Sequence, residues 1–81
     1  MVFLAITRTG FDSFVKVAQL DTALWVGADL LSASEMALLR GKGIDLTSFT
    51  YAILPGDSTL IAGAIDTIRQ HHPGNAVWVE N

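Results

Sequence analysis

The chain has 81 residues, no cysteine and a net charge of −3, with 16% charged and 51% hydrophobic residues. That length allows one α/β domain over 1–81, and the missing cysteines exclude a disulfide framework and a thiolate metal site. The basic residues Arg8, Lys16, Arg40, Lys42 and Arg69 are scattered, which argues against the clustered face that nucleic acid requires.

MVFLAI at the start has neither the length nor the basic lead of a signal peptide. No apolar run approaches the ~20 residues of a membrane span. The expectation is a cytoplasmic protein with no membrane partner. The charged fraction lies well below the roughly 25% of typical soluble domains. A domain this small buries only about 60% of its unfolded surface. Apolar surface is therefore expected to remain outside, where large patches mark contact sites.

VFLAIT (2–7) is a continuous apolar run, the pattern of a strand buried on both faces. A helix follows, with Phe11, Phe14, Val15 and Ala18 spaced as a core-facing stripe. Thr9 is its expected N-cap, and Asp12 suits its positive end. TALWVGA (22–28) predicts a second buried strand. In LSASEMALLRGKGI (31–44), Ser32 and Glu35 match a capping box, and Leu31 can staple onto Met36. Gly43 suits the left-handed position after the helix, with Ile44 packing back on Leu39. Arg40 and Lys42 complement its negative end.

SFTYAIL (48–54) alternates, with Phe49, Tyr51 and Ile53 on one face, and predicts the third strand. Leu60, Ile61, Ala64, Ile65 and Ile68 then share one helical face, and HHPG (71–74) stops that helix. Gly63 within it costs about 1 kcal/mol relative to alanine, which suggests either a close helix–sheet approach or a merely tolerated cost. AVWV (76–79) predicts the last strand. The order βαβαβαβ predicts a four-stranded, mainly parallel sheet in two or three layers. The alternative is a ferredoxin-like α+β fold with the second helix as an insertion.

Ligands of open α/β sheets bind beyond the carboxyl ends of the strands, where the strand order reverses. The loops at that end are TRTG (7–10), GADLLS (27–32) and LPGDST (54–59). A strand order of 2-1-3-4 would make TRTG and LPGDST face each other. Arg8, Thr9, Ser58 and Thr59 would then form an anion site, Arg8 through its fork of donors and the rest through a helix N-terminus. The plainer reading pairs Arg8 with Asp57 or Asp12 and leaves Pro55–Gly56 as a turn with Asp57 or Ser58 as a cap. There is no GxGxxG and no P-loop lysine.

Asp29 and Asp57 both follow strands but have no third ligand to complete a metal site. No nucleophile–base set is present, so neither a cofactor nor a catalytic residue is expected. His71 and His72 are adjacent on a helix, too far apart in direction to chelate one ion, and suit the helix C-terminus. Trp25 and Trp78 lie in strands, where core packing is the ordinary use. Trp78 becomes an interface anchor if its strand lies at an edge. NAVWVEN (75–81) has no lysine, proline or inward charge within the strand to discourage edge pairing.

The stretch IDLTSFTYAILPGDSTLIAGAIDTI (44–68) resembles the strand–loop–helix unit of STAS-type anti-sigma-factor antagonists. The resemblance implies phosphorylation at Ser58 as a switch of partner binding. It covers only about 44–70, and the N-terminal hairpin of that family is not apparent.

Together these features predict a non-enzymatic module acting through self-association, as a homodimer, or through contact with another protein. The alternative is a domain that binds a small anion or a phosphorylated ligand through the loops after the first and third strands.

Overall fold

A computed structural model describes residues 1–17 and 22–80. The elements follow the order β1 (Val2–Ala5), α1 (Arg8–Val17), β2 (Ala23–Val26), α2 (Ala33–Gly41), β3 (Leu46–Ser48), α3 (Ser58–His71) and β4 (Val77–Glu80). The four strands form one sheet in the order β3-β2-β1-β4, and every pair is parallel. This rules out the ferredoxin-like alternative. The order is the first part of the doubly wound arrangement 3-2-1-4-5-6. No described helix is long and apolar enough to cross a membrane.

The sheet separates two apolar clusters, so the fold has three layers. On one face Phe3, Ala5, Leu24, Val26 and Leu46 meet Phe11 and Phe14 of α1 and Leu39 of α2. On the other, Val2, Leu4, Ala23 and Trp25 meet Ala64 and Ile68 of α3. All four residues of β1 are buried, as are all four of β2. This is why VFLA and ALWV show no alternation: each strand has helices above and below it.

The second helix follows its sequence grammar closely. Ser32 and Glu35 form the reciprocal capping box. Gly43 adopts φ 89°, and its N–H and that of Ile44 close on the carbonyls of Arg40 and Leu39, the double bond of a Schellman ending. Leu31 and Met36 belong to the same cluster.

Four expectations need correction. The first helix starts earlier than expected: Thr7 caps it, its Oγ1 accepting from Gly10 N–H at 3.0 Å, so Thr9 lies inside the first turn. Val15 is 56% exposed. The buried face of α1 centres on Phe14 and leans toward β4 through Gly10, which turns Val15 outward. Ala18 lies outside the described residues.

The third strand is Leu46–Ser48 rather than 48–54. β2 ends at Val26, so a full ladder has nothing to pair with beyond Ser48. Single bonds from Phe49 N–H to Val26 O and from Ala28 N–H to Tyr51 O carry the chain over the end of β2. The alternation survives in part, with Phe49 and Ile53 buried and Tyr51 exposed. Gly63 faces open space, so it is a tolerated cost and not a point of close approach.

Candidate functional site

The order β3-β2-β1-β4 moves the switch point. It lies between β1 and β4, not between β1 and β3 as the order 2-1-3-4 would have it. There the first turn of α1 closes directly on the end of β4. A Cβ on Gly10 would stand 2.6 Å from the backbone oxygen of Glu80, closer than side chains tolerate. Thr7 Oγ1 is already engaged as the helix cap. Where a doubly wound domain opens a crevice for a ligand, this chain packs helix against strand.

Arg8 points away from that seam. Its guanidinium donates to Glu35 Oε2 at 2.7 Å and to the Leu30 carbonyl at 3.4 Å. It also lies over the Phe11 ring, 5.3 Å from the centroid. Glu35 thus serves two partners, its other oxygen accepting from Ser32 N–H at 3.0 Å. These contacts hold the Glu35 carboxyl below its usual pKa, the Ser32 backbone bond contributing most and the Arg8 bond next. Arg8 therefore ties the start of α1 to the start of α2. Its partner is neither Asp57 nor Asp12.

At LPGDST, Asp57 is the N-cap of α3, its side chain accepting from Leu60 N–H at 3.1 Å. Ser58 and Thr59 are the first helical residues and are exposed. Asp29, in the loop after β2, has φ 65°, a conformation that aspartate tolerates in turns. Among the described residues no group of acidic, histidine or cysteine side chains is placed to hold a metal. His71 and His72 end α3 against Trp25, their rings 5.5 and 6.0 Å from the indole. The indole N–H donates to His72 Nε2 at 3.4 Å.

The feature that stands apart is the β4 edge. Val77 and Val79 turn their side chains toward the α3 layer. Trp78, between them, faces the α1 layer and is 54% exposed. Beside it lies an apolar hollow of about 190 Å³ lined by Met1, Phe3, Ser13, Trp78 and Glu80. Phe3 and Trp78 are register partners across β1 and β4, so the hollow runs along the sheet surface between α1 and the edge.

Among the described residues, the backbone of that edge is also open. Val2 N–H donates to Ala76 O and Ile6 N–H to Glu80 O. Those bonds assign the even-numbered residues of β4 to β1. Successive strand residues direct their polar groups to alternate sides, so Val77 and Val79 present theirs outward. At the opposite edge the outward residues of β3 are Leu46 and Ser48, and the Leu46 carbonyl accepts from the Arg40 guanidinium at 3.0 Å. Sequence reasoning placed Trp78 on a strand open to solvent if that strand lies at an edge, which it does, but missed this use of Arg40, because six residues of separation across a helix ending carry no periodic signal.

Comparison with known proteins finds no matching family model, no matching curated protein and no matching solved structure. The all-parallel sheet also lacks, among the described residues, the N-terminal hairpin that the resemblance at 44–68 implies.

Proposed function

We propose that this chain is a non-enzymatic α/β module that acts by self-association through the β4 edge. The observation that carries this reading is a tryptophan more than half exposed on an edge strand whose outward backbone groups have no partner among the described residues. Tryptophan is strongly enriched among residues that dominate binding energy, and an unprotected edge is a template for pairing. The composition supports the same reading, because a domain with so few charges has little with which to mask that edge.

The anion-binding alternative draws less support. Arg8 is neutralised by Glu35, Asp57 places a carboxylate at the start of α3, and Glu80 places another at the switch point. Light scattering across a concentration series tests the preferred reading. The native chain should rise toward the mass of two copies, and Trp78→Asp should stay at one while keeping its circular-dichroism spectrum. A native mass of one copy at every concentration would reject it.

A further inference from the structure

We infer that two copies join β4 to β4 in antiparallel fashion, with the two-fold axis at Trp78, making one sheet of eight strands from two sheets of four. This rests on the self-association reading and adds the partner strand, its direction and its register.

The argument begins with the polar groups at the edge. Only Val77 and Val79 offer outward N–H and C=O groups within β4. An antiparallel pair exchanges both bonds between two facing residues, then skips one position. Val77 of one copy facing Val79 of the other satisfies all four groups on each strand, since the two-fold repeats the exchange. The edge is thus complementary in partial charge to a second copy of itself.

Two neighbouring registers are weaker. Facing Val77 with Val77 would draw Asn75 into the ladder, but Asn75 N–H already donates to the His72 carbonyl at 3.3 Å. Facing Val79 with Val79 would leave the outward groups of Val77 beyond the end of β4. Formal charge favours the same choice. With Val77 opposite Val79, Glu80 falls opposite Ala76 and the two Glu80 carboxylates stand at opposite ends of the contact.

The chosen register sets Trp78 opposite Trp78 at a position without hydrogen bonds, where facing Cα atoms approach to about 4.5 Å. Both indoles lie on the α1 side. Each can then fill the apolar hollow beside Phe3 and Ser13 or stack on the other. The larger doubly wound order covers this same edge of β4 with a fifth strand, so an added strand here is compatible with the sheet. The contact is short. Two half-exposed tryptophans and two four-residue strands bury less than the ~1,200 Å² of a standard stable interface, so the dimer is weak and exchanges readily.

The test uses the whole chain. In the native protein, hydrogen exchange at the Val77 and Val79 amides should slow in proportion to the dimer fraction as concentration rises, while the Trp78 amide, already bonded to β1, should not change. The absence of native cysteine makes a single-cysteine panel clean. Trp78→Cys should cross-link to itself on oxidation, and Val77→Cys and Val79→Cys should not. Self-linking at Val77→Cys or Val79→Cys in preference to Trp78→Cys would overturn the register. Loss of the anchor in Trp78→Cys does not confound the test, because the exchange measurement needs no substitution. A dimer by mass with concentration-independent Val77 and Val79 amides would overturn the strand pairing and leave self-association standing. A monomer at every concentration would remove both.

Discussion

The two edges of this sheet are built differently. β3 has three residues, and its outward Leu46 carbonyl is taken by Arg40. The chain then leaves the sheet at once to cross the end of β2. β4 has four residues, two outward-facing valines and an exposed tryptophan between them. Edge strands invite pairing unless they are short, charged or covered. The β3 edge carries two of those protections, whereas the β4 edge has only the Glu80 charge at its end and, among the described residues, no cover over its outward valine backbone groups. The difference teaches that the two edges are guarded unequally; under the proposed self-association, that asymmetry favours a closed pair over a growing ribbon.

The comparison breaks most severely at Gly10. An added methyl would meet the Glu80 backbone at 2.6 Å, so Gly10→Ala should force β4 from α1 and destabilise the domain by about 1–3 kcal/mol, the usual range for overpacking. Gly63→Ala, in a helix but facing open space, should instead stabilise by about 0.5–1 kcal/mol. Chemical denaturation of the two variants reads both signs. A neutral or stabilising Gly10→Ala would mean that the seam between α1 and β4 is not close-packed.

Proline at position 79 converts the open edge into a blunted one. The Val79 N–H faces outward, so Val79→Pro removes a pairing donor and leaves the bonds to β1 in place. The dimer dissociation constant should rise at least tenfold, about 1.4 kcal/mol, with the monomer still folded. Sedimentation across a concentration series measures it, and unchanged affinity would place the contact on another surface.

The converse experiment opens the protected edge. Arg40→Ala frees the Leu46 carbonyl and should cost about 0.5–1.5 kcal/mol, the net worth of one hydrogen bond. With both edges unguarded, species heavier than a dimer should appear at high concentration. A strictly dimeric Arg40→Ala chain would show that shortness alone protects β3.

The smallest effect concerns acid. Glu35 titrates lower in the folded chain than in the unfolded one. Its contribution is therefore complete above the unfolded carboxyl pKa and is lost as pH falls through the folded value. Melting temperature should decline over that acid range, and Glu35→Gln should flatten part of the decline. The pair it forms with Arg8 is largely exposed, so the change is small and shrinks with added salt.

Much of the architecture was legible in the chain because it is written in local chemistry. The capping box at Ser32 and Glu35, the left-handed Gly43 and the stop at HHPG each act within a few residues, so spacing alone reveals them. Apolar runs without alternation identified β1 and β2 as strands covered on both faces. The third strand lies earlier because the Phe49–Ile53 segment crosses the end of β2: its alternating residues read as a strand, yet only Phe49 and Ile53 are buried and Tyr51 between them is exposed. Thr7 and Thr9 offer identical capping chemistry within the sequence, and only the packing of α1 against Glu80 distinguishes them.

For the candidate site the division is sharper. Composition and the unguarded VWV run pointed to an apolar contact at Trp78, since a small chain with few charges cannot cover its own surface. Sheet order decided everything else. It placed β4 at an edge, brought Gly10 rather than Pro55–Gly56 to the switch point, and directed Arg8 to Glu35. Strand order depends on which helices can cover both faces of the sheet at once, a global packing condition that no window of sequence contains.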